Sequence, residues 1–172
     1  STGGGLYIGT NVTFFMTNCT VSDNTQGPPG GGGMVCSAGS KVYLMNCTFS
    51  HNTSGAILNY TFNFHMTNTI LANSVPGSAY DFTNTGGSVL VNDSNIVETC
   101  APGFTCTDFH LNGDPGLGAL TKNGGPTETR AIDSTSIAYN AGIALNAPPT
   151  DQNGIPRDAM PDIGAFEVPS AN

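Results

Sequence analysis

Charged side chains are scarce in this sequence of 172 residues. They make up 9% of the chain, whereas an ordinary soluble domain has about 25%. Lys and Arg together number 4, too few to neutralise a nucleic-acid backbone, so nucleic acid is excluded as a partner. No apolar run approaches the roughly 18 residues of a membrane-spanning helix, so we expect no membrane insertion. Trp is absent while Gly (23) and Pro (11) are frequent, which excludes a helical bundle.

Neutral polar residues take the place of the missing charges. The chain has 18 Asn, 21 Thr and 13 Ser, and its net charge is -8. Hydrophobic residues still make up 38% of the chain, which is enough for one domain with a packed core.

A repeated segment is the strongest pattern in the sequence. Residues 18–24 (NCTVSDN) recur as 46–52 (NCTFSHN), and more weakly as 68–73 (NTILAN) and 93–97 (DSNIV). Each copy follows two short runs in which apolar and polar residues alternate, as is typical of β-strands. Three short strands in about 25 residues form one turn of a solenoid whose strands pair with their equivalents in the next turn. We therefore predict an all-β parallel β-helix of about four to five short coils with a loop-rich C-terminal cap; a two-sheet sandwich is the alternative.

Stacked coils place equivalent residues in columns. Three columns are apolar throughout and are predicted to face inward, because a shift of one residue would bury polar side chains. A fourth column, at a turn, is expected to form a ladder of hydrogen-bonded amides. The inward columns are Phe14/Val42/Phe64/Val89, Met16/Leu44/Met66/Val91 and Val21/Phe49/Leu71/Ile96, and the turn column is Asn18/Asn46/Asn68/Asp93.

Two short motifs recur in the coils. One is a Gly-led apolar segment at residues 32–35 and 55–57, and the other is Phe-x-x-Asn at residues 49–52. Over roughly residues 3–98 they resemble the repeats of polymorphic outer-membrane proteins and related right-handed β-helix surface proteins. The resemblance implies a right-handed β-helix, and motifs this short specify fold better than function.

The last third of the chain has a different pattern. Residues 113–120 (GDPGLGAL) lead into 123–127 (NGGPT), and residues 162–167 (DIGAFE) follow later. Their order and spacing resemble the choice-of-anchor module, type Q, of secreted bacterial β-helix proteins, although residues 136–140 (SIAYN) depart from its usual sequence. The resemblance implies secretion and surface display, and it implies no catalytic residues. We predict coils over residues 1–98 and a capping, anchor-like module over residues 99–172, packed on the last coils in one continuous domain.

Catalytic groups are sparse in the predicted coils. Parallel β-helix enzymes need clustered carboxylates for acid–base chemistry or for binding Ca²⁺, and no carboxylate recurs in one column of adjacent coils. Asp23 and His51 align one coil apart as a candidate acid–base pair, with a solvated turn as the simpler explanation. We therefore predict a protein without enzymatic activity or cofactor.

Carbohydrate binding or polysaccharide degradation is the alternative function. It requires aromatic and carboxylate groups on one face of adjacent coils. The candidates for such an aromatic face are Tyr43, Tyr60 and Phe62.

A candidate Ca²⁺ site lies near Gly154, because several oxygen-bearing side chains gather there. They are Asp151, Asn153, Asp158 and Asp162. The alternative is that these side chains cap turns and pair with Arg157.

The five cysteines allow two disulfides. Cys100 and Cys106 flank a short loop and are expected to form one. Cys19 and Cys47 share a column with a Cα separation near the ~4.8 Å coil rise, so a disulfide and a reduced, buried pair both fit. Cys36 is left over, and we expect it to be buried.

Six Asn-x-Ser/Thr motifs are candidate glycosylation sites. Asn18 and Asn46 are expected to be used in the amide ladder. Asn11, Asn52 and Asn59 fall in predicted turns and are the better acceptors, and Asn92 is the sixth.

A β-helix exposes a sheet edge and a section of its core at each uncapped end. Leu6, Tyr7 and Ile8 lie at such an edge. Either the chain is trimmed from a longer β-helix, or another copy covers this edge head to tail and a filament results. We predict a secreted or cell-surface structural or adhesive protein, with its own copies or surface carbohydrate as partners.

Overall fold

The computed structural model describes residues 3–27, 31–75, 80–103, 105 and 109–170, and these form strands and turns without an α-helix. None of the described residues belongs to a helix of the length and apolar character that crossing a membrane requires. The strands are β1 (Leu6–Ile8), β2 (Thr13–Thr17), β3 (Thr20–Ser22), β4 (Met34–Cys36), β5 (Lys41–Met45), β6 (Thr48–Ser50), β7 (Ile57–Asn59), β8 (Phe64–Thr67), β9 (Ile70–Ala72), β10 (Phe82–Asn84), β11 (Val89–Asp93), β12 (Asn95–Val97), β13 (His110–Leu111), β14 (Leu120–Lys122) and β15 (Glu128–Arg130).

Each coil contributes one strand to each of three sheets. The first sheet has the order β1-β4-β7-β10, the second β11-β8-β5-β2, and the third β13-β12-β9-β6-β3. Strands within these sheets pair in parallel, whereas β14 and β15 form a separate antiparallel pair. The predicted all-β parallel β-helix is confirmed: the described residues form four coils, and β13 adds a fifth strand to the third sheet.

The inward columns form the core of the coils. Phe14, Val42 and Phe64 lie in register with Val89, as predicted. The third column holds Phe49, which is fully buried between its neighbours. Alternation along each strand therefore decides which side chains enter the core.

The fourth coil departs from the predicted register by one residue. Strand β11 carries a bulge between Val89 and Val91, which adds Leu90 to the coil and leaves that side chain exposed. A bulge inserts one residue into a strand and shifts everything after it. Val89 keeps its predicted place, but the predicted members after it are wrong: Asn92 pairs with Met66 in place of Val91, Ser94 takes the turn position in place of Asp93, and Val97 pairs with Leu71 in place of Ile96.

In the first three coils, the turn column consists of Asn residues in the left-handed conformation. Asn18, Asn46 and Asn68 have φ of 50, 49 and 48°, a region that Asn tolerates. Their amides mostly reach the C-terminal part of the chain instead of one another: Asn18 Nδ2 donates to Thr150 O at 2.7 Å and Asn68 Nδ2 to Ile143 O at 2.8 Å. The contact between Asn68 and Asn46 is long, at 3.5 Å.

Residues 99–103 and 109–111 lie at the C-terminal end of the core. Phe109 is fully buried and packs edge-on against Phe82, with ring centroids 5.0 Å apart. Strand β13 continues the third sheet beyond β12. Cys100 is disulfide-bonded, and its predicted partner Cys106 lies outside the described residues.

Residues 113–168, here called the lateral segment, lie along the outer face of the third sheet. Ile163 and Phe166 pack with Ile70 and Ile96, which occupy outward positions on β9 and β12. At the first coil, Arg130 Nε donates to Ser22 Oγ at 2.8 Å. The lateral segment therefore reaches the first coil as well as the last coils, on which we expected it to pack.

Candidate functional site

Three rings stack on the outer face of the second sheet. Phe15 pairs in register with Tyr43, and Tyr43 with His65. The ring centroids of Phe15 and Tyr43 are 4.8 Å apart, and those of Tyr43 and His65 are 4.4 Å apart. Paired strands lie about 4.8 Å apart, so in-register rings meet face to face. Both faces of the Tyr43 ring are covered in this aromatic stack, whereas Phe15 at its end is 69% exposed.

A groove of about 310 Å³ runs beside the aromatic stack. Besides the three rings, it is lined by Thr17, Leu44, Met45, Thr67 and Asn146. Asn146 comes from the lateral segment, so the groove forms where that segment meets the second sheet. Its walls combine apolar surface with hydroxyl and amide groups, which suits a ligand that is itself partly apolar and rich in hydrogen-bonding groups.

His65 contributes a neutral imidazole to this groove. Burial lowers the pKa of His65, so its ring is uncharged near pH 7. Its Nε2 lies 2.8 Å from Asn63 Oδ1. Because an amide oxygen only accepts, Nε2 carries the proton and Nδ1 is an acceptor.

A second hollow, of about 220 Å³, lies where β5 and β8 of the same sheet begin. Its lining includes Lys41 and Phe62. Lys41 lies two residues before Tyr43 on the outer face of β5, and Phe62 is 66% exposed. Both hollows therefore contain an aromatic ring.

The predicted aromatic face is only partly the one observed. Tyr43 lies at the centre of the aromatic stack and Phe62 in the second hollow, but Tyr60 lines neither. Sequence reasoning missed Phe15 and His65. The sequence contained a signal for both residues, because each occupies the outward position between two residues of the inward columns, as Tyr43 does.

Asp23 and His51 follow paired strands, as predicted, but other groups engage them. Arg130 Nη2 donates to Asp23 Oδ2 at 2.8 Å, and Ser22 Oγ donates to the same oxygen at 2.7 Å. Burial raises the pKa of Asp23, but these hydrogen bonds and the Arg130 charge together lower it below its usual value. His51 Nδ1 lies 2.7 Å from Ser50 Oγ. This corner therefore ties the lateral segment to the coils.

The carboxylates of the candidate Ca²⁺ site accept hydrogen bonds from backbone amides. Asp151 Oδ1 accepts from the N–H groups of Asn153 and Ile155, both at 2.8 Å. Asp162 accepts from two backbone amides at 2.7 Å, and Asp158 from one at 2.8 Å. Asp151 and Asp158 cap local turns, which fits the alternative that the sequence allowed, whereas Asp162 bridges the backbone of Asn140 and Val168. In the part of the chain that the structure describes, no three His, Cys, Asp or Glu side chains form a group suited to a metal ion.

A buried ion pair lies within the lateral segment, and its arginine also contacts the first coil. Arg157 Nη1 lies 2.7 Å from Glu167 Oε2, and the two side chains are 2% and 3% exposed. Arg157 Nη2 also donates to Gly164 O at 2.8 Å and to Asn18 Oδ1 at 3.2 Å. Burial lowers the pKa of Arg157 and raises that of Glu167. The sequence suggested that the nearby aspartates pair with Arg157, but the carboxylate in contact is Glu167.

Several asparagines of the glycosylation motifs are buried. Asn46, Asn52 and Asn59 are fully buried, and Asn52 Nδ2 donates to a backbone carbonyl at 2.9 Å. Asn52 and Asn59, which we expected to be among the better acceptors, are therefore inaccessible in the folded chain. Asn11 is exposed, and the Asn92 side chain lies outside what the structure describes.

Cys19, Cys36 and Cys47 are free thiols. Of the two alternatives for Cys19 and Cys47, the structure has the reduced pair. Cys36 is buried, as expected.

Strand β1 is the edge strand of the first sheet at the first coil. Tyr7 is 54% exposed there, while Ile8 is buried and Leu6 is half-buried. The assembly edge at these three residues stays a prediction.

Comparison with known proteins agrees with the architecture of the coils. A family model described as a right-handed β-helix region matches residues 1–112, which comprise the four coils and the segment that closes their core. A comparison with curated proteins finds no match, and a comparison with solved structures finds none. Because the matched region is more than half of the chain, the protein belongs to the right-handed β-helix family.

Proposed function

We propose that this protein is a non-catalytic carbohydrate-binding β-helix of the cell exterior, and that it adheres to glycans through the groove beside the aromatic stack. The β-helix fold in general suits extracellular structural or carbohydrate-related roles. The observation that carries the proposal is the in-register stack of Phe15, Tyr43 and His65 on an open sheet face.

The chemistry of the groove matches that of a sugar. A pyranose has apolar C–H faces and a rim of hydroxyl groups, so it needs both kinds of partner. Phe15 and Met45 offer apolar surface, while Thr17, Thr67 and Asn146 offer hydroxyl and amide groups. Because the stacked rings cover one another, a sugar contacts the edge of Tyr43, and the open face of the stack is at Phe15. The volume of about 310 Å³ is at the lower end for small-molecule sites and fits a short segment of a glycan.

The titratable residues that line the groove favour binding over cleavage. They are Tyr43 and His65, and burial keeps His65 neutral by lowering its pKa. Glycoside hydrolysis ordinarily uses a pair of carboxyl groups on either side of the scissile bond. Asp23, the carboxylate of the candidate acid–base pair, is engaged by Arg130 at another corner.

Two observations support a location outside the cytoplasm. The C-terminal sequence resembles the choice-of-anchor module of secreted proteins. Cys100 is disulfide-bonded, and disulfides persist in oxidising compartments. Surface display of the protein and glycosylation at Asn11 are consistent with these two observations.

Titration with neutral oligosaccharides tests the proposal. A glycan array identifies a ligand, and calorimetry then compares the wild type with Tyr43→Ala. We expect affinity to fall at least tenfold, because this change removes the centre of the aromatic stack. Tyr7→Ala is the matched control, since Tyr7 is an exposed tyrosine on the first sheet, and it should bind like the wild type. Absence of any glycan ligand, or equal affinity of Tyr43→Ala and wild type, contradicts the proposal.

Head-to-tail assembly into a filament is the second candidate function. Exposure of Tyr7 on the edge strand of the first sheet at the first coil favours it, since an unpaired strand edge can add another strand. Electron microscopy of the purified chain separates the two: regular fibres support assembly, and dispersed particles contradict it.

A further inference from the structure

Two cysteines of adjacent coils lie side by side at one corner of the solenoid. Cys19 directly precedes β3 and Cys47 directly precedes β6. Thr20 and Thr48 are paired, and Thr48 N donates to Cys19 O at 2.9 Å. The two Cα atoms are therefore about one strand spacing apart, within the range of a disulfide.

The two thiols have different surroundings. Cys19 is half-buried, and its Sγ lies 3.1 Å from Thr17 O. Cys47 is buried, and its Sγ lies 3.3 Å from Met45 O. A hydrogen bond from Cys47 lowers the pKa of Cys19 to about 7, although burial opposes this, while burial raises the pKa of Cys47. Near neutral pH, Cys19 is therefore partly a thiolate beside a protonated thiol.

The pair is confined to the first two coils. In the third coil the equivalent residue is Thr69, whose Oγ1 accepts a hydrogen bond from Cys47 N at 3.3 Å. Cys36 lies elsewhere, on β4 of the first sheet, and burial raises its pKa to about 12. The chain thus contains a reactive thiol with a partner and an inert thiol that serves as an internal reference.

We propose that Cys19 and Cys47 form a thiol–disulfide exchange site, which takes a low-molecular-weight disulfide and closes into a covalent bond between the first and second coils. The Cys19 thiolate attacks one sulfur of the small disulfide, whose S–S bond breaks and releases a thiolate. Cys47 passes its proton to the released thiolate and attacks Cys19 Sγ, which expels the second small thiol. Two protein thiols are oxidised and one small disulfide is reduced to two thiols.

The disulfide between Cys19 and Cys47 connects residues 28 positions apart in the sequence, at the start of two strands that are already paired. It therefore needs no rearrangement of the coils. It prevents β3 from separating from β6, and this is the corner that also holds Arg157 through Asn18.

Oxidised glutathione is the probe for this site. The folded protein is treated at neutral pH, quenched with acid and digested with trypsin without reduction. Cleavage after Lys41 separates residues 1–41 from 42–122, unless a disulfide joins them. We expect the two fragments to remain joined, with a mass lower by two hydrogens and no retained glutathione.

Three variants distinguish this site from other thiol reactions. Cys36→Ser should still give joined fragments, which excludes a bond from Cys36. Cys47→Ser should retain one glutathione on Cys19, because the second step is lost. Cys19→Ser should react at least tenfold more slowly. Circular dichroism checks the fold of each variant.

A measurement on the wild type keeps the test independent of the variants. A brief treatment with iodoacetamide should label Cys19 before Cys36 and should prevent the later joining of the fragments. Fragments that stay separate after glutathione treatment of the folded wild type, or a stable glutathione adduct on wild-type Cys19, overturn the proposal.

Discussion

The coils and the lateral segment are held together by different interactions. In the coils, short strands repeat the same pairing, and apolar columns such as Phe14, Val42 and Phe64 fill the interior. The lateral segment has one short antiparallel pair and depends on side chains that bond to backbone groups, together with the buried pair of Arg157 and Glu167. Because of this repetition, the strands of a coil pair with those of the neighbouring coils, whereas the lateral segment depends on contacts far away in the sequence.

The outer faces of the second and third sheets also differ. Both turn apolar residues inward, but the third sheet also has Ile70 and Ile96 on its outer face, and the lateral segment covers them. The second sheet presents the aromatic stack outward, and Phe15 remains exposed. A strand that is apolar on both faces requires cover on both, which explains why the lateral segment lies on the third sheet and leaves the groove open.

Removing a core ring should have the largest effect. Phe49→Ala empties a fully buried position in the third column, and we expect a loss of about 3–5 kcal/mol in the free energy of unfolding. Both regions should unfold together, because the coils support the lateral segment. Urea denaturation measures the change. Phe62→Ala is the control, since Phe62 is exposed and its loss should cost below about 1 kcal/mol. Equal effects of the two changes would contradict the role of the column.

Breaking the buried ion pair should separate the two regions. Arg157→Met leaves Glu167 buried without its partner, which costs about 3 kcal/mol, and we expect the lateral segment to loosen while the coils stay paired. Hydrogen exchange should rise in β14 and β15 and remain slow in β5 and β8. The double change Arg157→Met with Glu167→Leu removes both charges and should recover part of the loss. If the coils and the lateral segment exchange together, the two regions form one cooperative unit and the contrast fails.

Lowering the pH should have the smallest effect on stability, through the contact between Asp23 and Arg130. The folded pKa of Asp23 lies below its ordinary value of 3.8, so ionised Asp23 stabilises the fold above that pH. This contribution is lost as the pH falls through the lower, folded pKa. The side chain of Asp23 is 51% exposed, so solvent weakens the pair and the effect is small. Asp23→Asn should show a weaker loss of stability between pH 4 and pH 2 than the wild type in thermal denaturation. An unchanged acid dependence would show that this contact does not contribute.

The repeat predicted the fold because each coil repeats one simple pattern. Alternation along the strands and the recurrence of Asn18 and Asn46 were sufficient to place Phe14 with Val42 and Phe49 with Leu71. The fourth coil was misaligned because a bulge at Leu90 adds a residue without a sequence signal of its own. The outward positions were the weaker part of the prediction, since a polar or aromatic residue facing outward has no periodic pattern that requires it.

The sequence by itself determined the coiled architecture, the inward columns and the Asn turns, because local alternation and a fixed repeat decide which residues pair. Only the tertiary structure decided the groove and the location of the lateral segment. Asn146 meets the aromatic stack, and Arg157 meets both Glu167 and Asn18. Such contacts join residues that are far apart in the sequence. In an irregular segment each hydrogen bond depends on the final arrangement of the backbone, and no repeated pattern indicates which residues are partners.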